Sequence, residues 1–145
     1  MGFRFPLASV LSLRESMERR EELALKKILL DMAHVRREIE HLDAELAAAH
    51  RMREESLQRP IPAFQLQSML RDADAAIERR RVLVESLAAL ERQRSEQTRV
   101  YQAAHCGRRM LSDLLEQQRD LWEQEQARNA QKVIDDVFAS RSQRG

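Results

Sequence analysis

The chain has 145 residues, of which 34% are charged and 4% aromatic, with three glycines, three prolines and one cysteine. Abundant Ala, Leu, Glu, Arg and Gln with so little Gly and Pro is the composition of a long helix or coiled coil, and argues against an aromatic-rich globule. Net charge is +1, with 9 basic and 11 acidic residues in 7–57 and 9 basic and 8 acidic in 63–116. Neither stretch offers a one-signed surface, so nucleic acid is disfavoured as a partner.

At the start, MGFRFPLASVL is too short an apolar run for a signal peptide, because Arg14, Glu15 and Glu18 follow at once. The serine or threonine of a myristoylation signal is missing. No apolar stretch approaches the ~20 residues that span a bilayer. Direct membrane insertion is therefore not expected, and a lone Cys106 allows no internal disulfide. Together these point to the cytoplasm.

Proline occurs only at 6, 60 and 62. The spacing predicts a first helix over 7–57, a turn over 58–62 and a second helix over 63–141, all in one domain, 1–145. In the first helix Leu25, Ile28, Met32, Val35, Ile39, Leu42, Leu46 and Ala49 alternate steps of three and four, a heptad stripe. Leu7, Val10, Met17 and Ala24 extend it upstream with a small phase shift. Arg59 and Ile61 each precede a proline and are pushed out of the helical region, and Pro62 or Ala63 can open the next helix.

The second helix carries Leu66, Leu70, Ala73, Ile77, Leu83, Leu87 and Leu90, then Tyr101, Ala104, Leu111, Leu115 and Trp122. Between them, 91–99 has no apolar side chain and is expected to be the weakest part of the seam. Gly107 costs about 1 kcal/mol relative to alanine and suggests a mild bend nearby. Cys106 reads as a small seam residue. The Arg79, Arg80, Arg81 run reads as a solvated face among Asp72, Asp74, Glu78 and Glu85.

Two such stripes joined by a short turn fold back on one another. The expected fold is all-α: two long helices in an antiparallel coiled-coil hairpin, with the C-terminal helix overhanging. About fifty residues of helix span roughly 75 Å and about eighty roughly 115 Å, which sets Leu7 near residue 115 and leaves about 117–141 unmatched. That extension carries Leu121, Trp122, Val133, Ile134, Val137 and Phe138. An apolar helical face without a partner reads as a docking surface. The alternatives are that Phe3, Phe5 and Leu7 fold against it or that it frays. Trp122 is open between seam packing and partner anchor.

Chemistry is not evident. Glu38-x-x-His41 is a single Glu-x-x-His unit where a di-iron bundle needs two, and His105 beside Cys106 gives two ligands where a closed zinc site needs four. His34, His41, His50 and His105 read as surface or seam residues. Three scattered glycines build no phosphate loop, and a two-helix fold gives a nucleophile no cleft. No enzyme activity, metal or cofactor is expected.

The opening Phe3-x-Phe5-x-Leu7-x-x-Val10-Leu11-x-Leu13-Arg14-Glu15-x-x-Glu18 resembles the start of the FliJ family, small coiled-coil components of the bacterial flagellar export apparatus. The ending, Leu114-x-x-Gln117-x-x-x-Leu121 through Gln131-Lys132-x-Ile134-Asp135-Asp136, is similar to that family's C-terminal helix. The resemblance implies a non-catalytic stalk of type III export. Its terminal end would enter the hexameric export ATPase ring, through Phe3, Phe5, Leu121, Trp122, Val133, Ile134, Val137 and Phe138. It also implies contact with the cytoplasmic domain of the export gate, assigned to Leu46, His50, Met69, Ala73, Ala76 and Arg80, although this chain lacks the aromatics the family carries there. Export chaperones are further implied partners, with a peripheral location on the inner face of the cell membrane. Alternatives are the stalk of a virulence-type secretion system, or a structural coiled coil that pairs with its own copies. A coil probing RNA polymerase lacks support in the Arg59-Pro60-Ile61-Pro62 tip.

Overall fold

In a computed structural model, which describes residues 2–144, the chain forms α1 (Ala8–Ser56) and α2 (Ala63–Arg144). Among the described residues there is no strand. Ala8 N–H donates to the Phe5 carbonyl at 3.1 Å. Pro6 therefore lies within the opening turn, where a missing N–H costs nothing. At the far end of α1, Gln58 N–H bonds the Glu55 carbonyl at 3.3 Å and Arg59 N–H the Ser56 carbonyl at 3.2 Å. These tighter bonds satisfy carbonyls that the helix would leave bare. Pro62 then accepts from Gln65 N–H at 3.1 Å, so its carbonyl opens α2. α2 runs unbroken through Gly107 and through the polar stretch 91–99.

Burial shows which residues hold the helices together. Among the described residues the buried apolar ones are Leu11, Met32, Ile39 and Leu42, all on α1, and of these Met32 is fully covered. Leu25, Ile28, Val35 and Leu46 are half-buried beside them. Leu11, Glu18, Leu25, Met32, Ile39 and Leu46 recur every seven residues without a break. The expected upstream extension of the stripe holds only at Ala24, which is half-buried. Leu7, Val10 and Met17 are exposed, and the inward positions belong to Leu11 and Glu18. Ala49, expected at the end of the stripe, is also exposed.

On α2 the covered face follows the same rule. Leu66, Ala73, Arg80, Leu87, Tyr101, Arg108, Leu115 and Trp122 are half-buried, and so are Met69, Ala76, Leu83, Leu90, Gln97, Ala104, Leu111 and Gln118. The second row steps by sevens throughout, and the first does so except at Arg94, which is exposed. Leu70 and Ile77, expected in the seam, are exposed at 45% and 55%. Strict sevens place Met69, Ala73, Ala76 and Arg80 inward and turn those two larger side chains out. Cys106, expected in the seam, is exposed as well, because Ala104 and Arg108 take the inward positions on either side.

The chain divides into a terminal unit, Met1–Arg20 with Tyr101–Gly145, and a middle unit, Glu21–Val100. In the terminal unit Phe3 meets Trp122, while Glu18 meets His105 and Arg108. In the middle unit Glu21 meets Gln97, and Asp43 meets Arg80. Within each unit the second residue number falls as the first rises, which is consistent with a hairpin. The middle unit holds most of the buried apolar side chains. Burying a large one fully is worth about 1.5–3 kcal/mol, so Met32 and Leu42 dominate its stability.

Candidate docking surface

The terminal unit brings the N-terminal segment onto α2. Pro6 fixes the entry into α1, and the residues before it place the Phe3 ring 6.0 Å from the Trp122 ring at 55°. Such a tilted approach suits the electrostatics of two aromatic rings. The Arg119 guanidinium lies 5.6 Å from the Phe3 centroid, a cation–π contact. Phe3, Phe5 and Trp122 are each half-buried, so of the readings left open for Trp122, intramolecular packing is what forms. An open groove of about 770 Å³ runs beside it, lined by Gly2, Phe3, Arg4, Pro6, Gln118, Leu121, Trp122 and Glu125.

Beyond Trp122 every described residue to Arg144 is exposed. The bare segment begins at 123, later than the expected 117, because Phe3 covers Trp122 and Gln118 is half-buried. Val133, Ile134, Val137 and Phe138 stand 62%, 50%, 47% and 70% exposed. At about 100° per residue they occupy one arc of roughly 140°, with Ala127 and Ala130 on it. Arg128, Lys132, Asp135 and Asp136 take the opposite side, where Gln131 donates to Asp135 at 3.0 Å. Leu121, 64% exposed, lies off this arc and belongs to the groove beside Phe3. The eight residues assigned to ring docking thus divide into half-buried Phe3, Phe5 and Trp122, of which Phe3 and Trp122 pack together, and bare side chains.

Below the aromatic cluster the terminal unit carries a polar layer that the sequence reading did not identify. Glu18 occupies an inward heptad position and its side chain is only 15% exposed. Its carboxylate accepts from Arg108 Nε and lies 2.9 Å from His105 Nδ1. The Arg108 hydrogen bond, then that of His105, holds the Glu18 carboxyl below its ordinary value. Arg108 is correspondingly pushed up, first by Glu18. A carboxylate on one helix facing a guanidinium on the other lets two polar residues occupy seam positions without an orphaned charge. Arg14 lies over Gly107, where an added Cβ would stand 3.3 Å from its Nη1. The seven-residue spacing from Leu11 to Leu25 was the signal for this layer.

In the middle unit Gln97 serves the apolar-free stretch, donating to the Glu21 carbonyl at 3.0 Å and its carboxylate at 2.7 Å. Of the residues assigned to gate binding, Leu46, Met69, Ala73, Ala76 and Arg80 are half-buried. Arg80 is tied to Asp43 at 2.6 Å. His50 is exposed, 3.1 Å from Arg53 and 3.0 Å from Glu54. Outward on that stretch of α2 stand Leu70 and Ile77 instead. Two residues of the arginine run are tied to acids: Arg80 as above, and Arg81, which bonds Glu78 at 2.6 Å and Glu85 at 2.6 Å. Exposed pairs of this kind add little stability.

His34, His41 and His50 each pair with a glutamate one turn on. No group of three or more His, Cys, Asp or Glu that could hold a metal occurs among the described residues, and no described helix is long and apolar enough to cross a membrane. The arrangement is one of contact surfaces. Searches of curated proteins and of solved structures returned no match. The family model described as Flagellar FliJ protein matches residues 3–145, nearly the whole chain, and the protein belongs to that family.

Proposed function

We propose that the protein is the stalk of the flagellar export ATPase ring. Membership of the FliJ family supports the coarser statement, a component of flagellar protein export. The observation that supports the finer one is the bare arc of Val133, Ile134, Val137 and Phe138, continuing a helix whose base is packed by Phe3 and Trp122. An amphipathic helix with one uncovered apolar face docks on a partner. A base fixed by its own aromatic cluster presents that face without further folding. In this reading the ring receives the arc together with Leu121 and the groove beside Phe3.

The middle unit would carry the second contact, to the cytoplasmic domain of the export gate. Among the residues first assigned there only His50 is exposed, so the contact is placed on His50 with the outward Leu70 and Ile77. Escort of export chaperones and a peripheral position at the inner face of the cell membrane complete the proposal. Adding the full chain to the flagellar export ATPase should raise ATP hydrolysis severalfold. A chain lacking 123–145 should fold normally and fail to stimulate. Undiminished stimulation by the truncated chain would defeat the stalk reading.

A further inference from the structure

We infer that the segment from Glu123 to Arg144 pairs with the same segment of a second copy, antiparallel, when no other partner occupies it. Glu123, Ala127, Ala130, Ile134, Val137, Arg141 and Arg144 are all exposed and follow steps of four and three. They form their own heptad row, set off from the row that ends at Trp122. This row is nearly symmetric about its middle. An antiparallel copy sets Glu123 opposite Arg141, Ala127 opposite Val137 and Ala130 opposite Ile134.

The symmetry matters because the row is acidic at one end and basic at the other. In the antiparallel arrangement each Glu123 meets a cation of the other copy. Small Ala127 and Ala130 face larger Val137 and Ile134, so the centre fills without overlap. A parallel copy would set Glu123 on Glu123 and Arg141 on Arg141, a repulsive arrangement. An isolated helix of about this length is marginal in water, but here it continues the long α2 and begins already wound. The apolar arc used is the one assigned above to ring docking. Self-pairing would therefore compete with that docking and cover the arc in free protein.

The inference stands apart from the stalk reading and is tested without an ATPase. Sedimentation of the full chain over a range of concentrations should show a monomer–dimer equilibrium. Ile134→Asp, at the centre on both copies, should weaken dimerisation by at least about 100-fold. Glu123→Arg or Arg141→Glu alone should weaken it several-fold, and the two together in one chain should restore it. Unchanged helix content by circular dichroism separates loss of pairing from loss of fold. A monomer at all concentrations would overturn the proposal, as would a dimer indifferent to Ile134→Asp. Failure of the double charge exchange to restore pairing would overturn the antiparallel register.

Discussion

Met32 and Phe138 are both large apolar residues on long helices of similar composition, yet one is fully covered and the other 70% exposed. The difference is what lies across from them. Met32, with Ile39 and Leu42, sits in a middle unit where α1 and α2 segments cover one another. Phe138, with Val133, Ile134 and Val137, sits on a stretch of α2 where every described residue is exposed. The first set holds the fold together. The second contributes nothing to the folded monomer and is free to serve a partner.

The sharpest way to break this comparison is to place one charge in each region. Leu42→Asp should cost roughly 4 kcal/mol or more, from lost apolar burial and a desolvated carboxylate, read as collapse of the thermal midpoint and helix signal. Phe138→Asp in dilute solution should shift stability by no more than about 0.5 kcal/mol. Equal losses would erase the distinction between the regions. Trp122→Ala lies between them. It removes the Phe3 stack and uncovers the base of the extension, and should cost about 1–2 kcal/mol.

A smaller effect comes from the polar layer. Glu18 is held below its ordinary value by Arg108 and His105, so the folded chain binds its proton less readily than the unfolded chain does. Its contribution is therefore present above the ordinary glutamate value and lost as pH falls below that value through the lower folded one. Thermal midpoints between pH 3 and pH 7 should fall less steeply toward acid in Glu18→Gln than in the parent. Identical pH profiles would show that the layer carries no proton-linked stability. Smallest of all, Gly107→Ala should stabilise by about 0.5–1 kcal/mol, because only the end of the flexible Arg14 side chain must give way.

The helices, the turn and the middle of the α1 stripe were legible in the sequence because proline and apolar periodicity both mark them. The stripe was misread at its upstream end, where apolar Leu7, Val10 and Met17 outnumbered the polar Glu18 at the true inward position. A polar seam residue is recognisable only with its partner, and Arg108 lies ninety positions away. Leu70 and Ile77 misled for the complementary reason. They are apolar and well spaced, but the narrow seam is filled by Met69, Ala73 and Ala76. The extension was legible as unmatched, whereas the capping of Trp122 by Phe3 depended on how residues before Pro6 turn back.

The most direct measurement pairs two readouts on one variant, Val137→Asp with Phe138→Asp. Its thermal midpoint in dilute solution and its stimulation of the flagellar export ATPase should be compared with those of the unaltered chain. The expected result is an unchanged midpoint with stimulation lost. Full stimulation, or a midpoint lowered as far as by Leu42→Asp, would contradict the assignment of this segment to a partner.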